Sequence, residues 1–237
     1  MNTSKYREQN MNIINIYTGL LFSPQQAFAQ ALRLKVVTLF FPLAAALVIT
    51  ALLNTYYYAA VDMPWLLERM VADIPDDQKQ TVLDSLSKGR LLGISLVGVL
   101  FLTVSINLFR AFIYWFVLKV KGEAQRFIRL FAIVMWSTAP LLLILPAGVL
   151  NIYLSTGQGM LPNDVNPVSL NQLFFKLSGD SDWGQLLSTF SLINIWEIFL
   201  IIIGLKLATS LSIKQSFTIA LLPELVIYGL WVTSLLL

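Results

Sequence analysis

The sequence has no cysteine and no histidine. Without cysteine there is no disulfide framework, no thiol nucleophile and no acceptor for thioether lipidation. Without histidine the usual ligand sets of zinc proteases and haem proteins are missing, as is the side chain most used for proton transfer near neutral pH. Charge is also scarce. Charged residues make up 12% of 237, against about 25% in a soluble domain. Hydrophobic residues make up 57%, and the mean hydropathy is +0.73. An integral membrane protein is the class that fits, and one helix bundle accounts for the length. The net charge of +3 is too small to suggest a nucleic-acid surface. No repeat of fixed period is visible, which argues against an inverted-repeat transporter. There is no Gly-rich phosphate loop, no G-x-S-x-G elbow and no pair of intramembrane aspartates. Enzymatic chemistry would then rest on a carboxylate or a Ser/Lys pair, and no cofactor is implied.

What is present is a set of long apolar runs. They predict an all-α, polytopic membrane bundle with five transmembrane helices, at about 36–58, 91–118, 127–150, 186–207 and 216–237. Residues 36–237 form this transmembrane domain, and residues 1–35 a cytoplasmic amphipathic segment. That segment is not expected to be a cleavable signal, because the first long apolar run exceeds a signal-peptide core. Within it Ile13, Ile14, Tyr17, Leu20 and Leu21 recur at helical spacing opposite Asn12, Asn15 and Thr18. Such a helix lies on the membrane surface or packs against the end of the bundle. Ser23, Pro24 and Gln26 read as a helix start with a capping box. Tyr56, Tyr57 and Tyr58 read as an interfacial aromatic belt. Short helices are expected in both outer loops: two in the first, one starting at the Asp62 cap and one at Ile74-Pro75-Asp76-Asp77, and one in the second at the Ser169 cap. Asp73, Asp76 and Asp77 read as a solvated helix start rather than a cation site.

Basic residues set the orientation. Lys5, Arg7, Arg33, Lys35, Lys119, Lys121, Arg126, Arg129, Lys206 and Lys214 fall in short segments on one side. Arg69, Lys79, Lys88, Arg90 and Lys176 are spread over longer loops on the other. The denser side is cytoplasmic, which puts the N-terminus inside and the C-terminus in the periplasm.

Three charges break the apolar runs. Arg110 is the one charge in residues 91–118, and Glu197 and Glu224 stand in two later spans. A bare guanidinium in hydrocarbon costs from about 3 to well over 10 kcal/mol, so it needs a partner or a wet cavity. Arg110 lies nine residues before Lys119, Glu197 nine before Lys206, and Glu224 ten after Lys214. At about 1.5 Å per residue, all three sit roughly 13–15 Å from their flanks, near mid-membrane. The helix kink expected at Pro140 falls at the same level. Asn107, Ser137, Thr138, Asn194 and Thr218 are near enough along their helices to add hydrogen bonds. The site predicted here is an intramembrane polar cluster of Arg110, Glu197, Glu224, Asn107, Asn194 and Thr138. It serves either as a lock between spans or as a transport or ligand site; snorkelling applies to Arg110 alone. Gly93, Gly98 and Gly204 permit close helix contact.

An amphipathic N-terminus, the segment Phe22-Ser23-Pro24 with Phe28, five spans, and the step Ser137-Thr138-Ala139-Pro140 resemble the bacterial branch of the Yip (Ypt/Rab-interacting protein) family. The D-L-Y-G-P signature of eukaryotic members is absent, so a small-GTPase role does not carry over. The resemblance implies a non-enzymatic accessory or adaptor protein of a bacterial inner membrane. Its partners would be membrane lipids and either a membrane protein, such as an ABC-type exporter, or a second copy of itself.

Overall fold

In the computed structural model, residues 13–72, 74–155 and 159–237 are described. Lys5, Arg7, residues 10–12 and Asp73, used in the readings above, lie outside them. The described chain is helical, and the one β-bridge among these residues is the isolated pair Ser169–Ser191. Eleven α-helices are described: α1 Ile13–Phe22, α2 Pro24–Ala31, α3 Phe40–Ala60, α4 Met63–Met70, α5 Asp76–Ser85, α6 Lys88–Val120, α7 Phe127–Ser137, α8 Ile144–Leu154, α9 Asp182–Thr189, α10 Leu192–Ala208 and α11 Ile213–Leu236. Four helical stretches are long and apolar enough to cross a membrane: Val36–Ala60, Lys88–Val120, Phe127–Leu154 and Ile213–Leu236.

The stretch expected as a single span at 186–207 is broken. Helix α9 ends at Thr189 and α10 begins at Leu192. The Asn194 carboxamide oxygen accepts from the Ser191 backbone N–H and hydroxyl, both at 2.9 Å, and so closes the N-terminus of α10. The backbone opened by the break is satisfied by the outer loop: Leu170 N–H donates to the Phe190 carbonyl at 2.8 Å, and Leu192 N–H to that of Val168 at 3.0 Å. Helix α10 has 17 residues, about 26 Å at 1.5 Å each.

The third span also departs from one continuous helix. Helix α7 stops at Ser137, a 3-10 stretch runs over Ala139–Leu143, and α8 resumes at Ile144. Pro140 sits inside the 3-10 stretch, where its missing N–H and fixed φ favour the tighter turn. The Ser137 hydroxyl donates to the Ile133 carbonyl and Thr138 to that of Met135, both at 2.8 Å.

Helices α1 and α2 form a hairpin packed into the bundle. Ile16, Leu20 and Phe28 are fully buried and share a core with residues of α7 and α10. Helix α1 reaches the Ala139–Leu143 turn, and Tyr17 stacks edge-on against Trp136 with centroids 5.6 Å apart. Asn15, Thr18, Gln25 and Gln26 stay exposed. Of the two placements open to this amphipathic helix, packing against the bundle is the one adopted. The expected capping box is not formed: Ser23 makes no side-chain capping bond, and Pro24 alone marks the start of α2.

The aromatic belt is only partly a belt. Tyr56 is exposed, whereas Tyr57 and Tyr58 turn inward, and the Tyr57 hydroxyl donates to the Met160 carbonyl at 2.7 Å. The two loop faces are cross-tied. On one, Ser210 hydrogen-bonds to Glu123, joining the α6–α7 and α10–α11 connections. On the other, Arg69 pairs with Asp180 at 3.0 Å, joining the α4 and α9 loops.

Candidate functional site

Arg110 is the centre of the site, and its own helix prepares it. Asn107 lies three residues before it and Tyr114 four after, so all three share one face of α6. All are buried, in a helix whose other faces carry exposed Ile94, Val97, Phe101 and Phe116. The Arg110 Nη1 group donates to Asn107 Oδ1 at 3.3 Å, and Asn107 Nδ2 donates to Met135 Sδ on α7 at 3.6 Å.

Both glutamates come to Arg110. Its Nε lies 2.7 Å from Glu224 Oε1 on α11, and its Nη1 lies 3.6 Å from Glu197 Oε2 on α10. The 2.7 Å approach lies off the N–H direction, so neither atom gains a directed hydrogen bond and the contact holds by charge attraction. Arg110 is 8% exposed, Glu197 4% and Glu224 6%. One base thus ties three helices through two acids, shielded from lipid and water by protein.

Not every predicted residue joins them. Asn194 is spent on the N-terminus of α10. The Thr138 hydroxyl bonds to the Met135 carbonyl and faces Tyr17, not Arg110. Thr218 donates to its own Lys214 carbonyl and is exposed, and Ser137 is likewise spent within its own helix. In each case the side chain had a local backbone partner, a donor N–H for Asn194 and an acceptor carbonyl for the three hydroxyls, and short polar groups take such partners first. Pro140 contributes the break described above and no contact to the charges among the bonds described.

Two contributors were missed. Tyr114 is fully buried, and its hydroxyl donates to the Ala220 carbonyl of α11 at 3.1 Å. Pro223 sits inside α11 just before Glu224, and its missing N–H leaves the Ile219 carbonyl without its helical donor. The signals were there: i+4 spacing from Arg110, and a Pro-Glu pair in an apolar run. Glycine packing differs between spans too. A Cβ at Gly204 would collide with Ile133 of α7, whereas one at Gly93 or Gly98 meets nothing within 4 Å.

The site offers no assembled nucleophile and base. Among the described residues no group of three or more acidic side chains is placed to hold a metal ion. What the arrangement does geometrically is set two carboxylates against one guanidinium and so join α6, α10 and α11 inside the bundle.

No curated protein and no solved structure matches the chain. Residues 18–236 match the family model described as the Yip1 domain, from within α1 to the last residue of α11. With nearly its whole length covered and its long apolar helices packed as a bundle, the chain is a membrane protein of the Yip1 domain family.

Proposed function

We propose that the protein is a non-enzymatic accessory or adaptor protein of a bacterial inner membrane. It acts by contact with a larger membrane machine, such as an ABC-type exporter, or with a second copy of itself. The observation that carries this reading is the closure of the charged cluster. Conduction and catalysis need their working groups open to substrate, and these three are sealed between helices. A cleft of about 540 Å³ between α3, α6 and the Leu141–Ile144 region includes none of the three. In this reading α10 is the fourth of five crossings, with the N-terminus cytoplasmic and the C-terminus periplasmic. Support comes from its two ends. One lies beside the Ser169 loop and the other runs into the Ser210 connection tied to Glu123. Purification from native membranes in mild detergent tests the adaptor role: a partner or a second copy should co-elute at fixed stoichiometry. A protein that always extracts alone and monomeric sinks it.

A second reading, a small transporter or lipid-moving protein, is favoured by one observation: two acids face one base in the buried cluster. Flux in reconstituted vesicles that is unchanged by Glu197→Gln and Glu224→Gln removes it.

A further inference from the structure

We propose that the cleft between the start of the first span and α7 binds the phosphate group of an anionic glycerophospholipid. The cleft holds about 270 Å³. Lys35, Arg126 and Arg129 line it, with Leu39, Ile128 and Ala132 as apolar wall.

Charge selects an anion. Among the described residues no carboxylate lies within ion-pair distance of Lys35, Arg126 or Arg129. Glu123, the nearest acid in sequence, is turned to Ser210 instead. Among the described residues, the side-chain hydrogen bond that Arg129 makes is one of 3.4 Å to Gln125 Oε1. Arg126 is the N-cap residue of the 11-residue α7 and makes no side-chain capping bond, so the positive end of that helix opens at the same place. Two guanidinium groups suit the paired oxygens of a phosphodiester.

Position selects a lipid over a soluble phosphate. Val36, Val37 and Phe40 are 57%, 64% and 67% exposed, in a stretch apolar enough to cross a membrane. Ile128 on the facing helix is 40% exposed. Acyl chains hung from the phosphate would run onto this surface. Basic pockets at the ends of spanning helices are suited to acidic headgroups for this reason. The inference rests on the membrane reading of these helices and not on the adaptor role, so it stands even if the protein extracts without partners.

A second cleft, about 240 Å³ between α6 and α11, carries Lys121 and Lys214 but no arginine. It serves as an internal control, since ammonium groups act as point charges without the planar fork. The test is native mass spectrometry of the full chain in detergent, titrated with phosphatidylglycerol or phosphatidylcholine. Phosphatidylglycerol should be retained preferentially. Arg126→Gln with Arg129→Gln should weaken retention by about tenfold, roughly the loss of one charge-assisted bond. Arg126→Lys with Arg129→Lys should recover part of it, and Lys121→Gln with Lys214→Gln should match the wild type. Helicity by circular dichroism confirms that each variant is folded. Equal retention of both lipids, or undiminished retention in the folded double Gln variant, overturns the proposal. Displacement of the lipid by excess inorganic phosphate overturns it in favour of a soluble ligand.

Discussion

Arg110 reaches Glu224 through Nε and Glu197 through Nη1, so removing it strands two acids at once. Arg110→Gln should cost about 3–5 kcal/mol, read by denaturant titration in micelles, because two buried carboxylates then face each other without a counter-charge. The two glutamates should not behave alike. Glu224 is the partner at 2.7 Å and Glu197 the one at 3.6 Å. Glu197→Gln leaves one base with one acid, and should cost less than about 1 kcal/mol because the net charge of the cluster falls to zero. Glu224→Gln leaves the longer pair and should cost more. The reverse order would mean that distance does not rank these contacts. At this scale the meeting of Arg110, Glu197 and Glu224 was legible, since ions in hydrocarbon have few alternatives to one another. The places of Asn194 and Thr138 were not, because a nearby backbone group competes equally well for a short polar side chain.

Close helix contacts turn on particular glycines: a Cβ at Gly148 of α8 would meet Leu53 of α3, and one at Gly204 of α10 would meet Ile133 of α7. Gly204 lets α10 lie against Ile133 of α7, and Gly98 performs no such service in α6. Gly204→Leu should therefore destabilise by about 1–3 kcal/mol through overpacking. Gly98→Leu should change stability by no more than about 0.5 kcal/mol. Thermal unfolding of the two variants in the same detergent separates them, and equal losses would contradict the close α7–α10 contact. In sequence both glycines look alike, because spacing along a helix does not say which face meets a neighbour. The breaks at 138–143 and 190–191 are a similar case. Pro140 announced the first. The second is made by Ser191 and Asn194 together with the Ser169 loop, a tertiary partner that the local sequence does not reveal.

Across the whole molecule, two cross-tied loop faces lie at opposite ends of the long helices. Ser210 with Glu123 marks one and Arg69 with Asp180 the other. The absence of cysteine makes the topology directly measurable by single introduced thiols. A membrane-impermeant thiol reagent applied to intact cells should label Asp182→Cys and Leu237→Cys and spare Lys214→Cys. Labelling of Asp182→Cys and Lys214→Cys from the same side would mean that α10 turns back and that the chain crosses four times.

Class and helix content were determined by composition and periodicity alone. A chain this apolar must satisfy its backbone internally in lipid, and helices do so without partners. That the three charges lie within reach of one another was also legible in advance, because similar sequence distances from the basic flanks bring them to a common level along their helices. Only the tertiary structure decided which residues surround them, where the fourth apolar run is cut, and that the N-terminal hairpin packs into the bundle. Those outcomes depend on the rotation of each helix about its own axis and on contacts between distant segments, and neither is encoded in any local window.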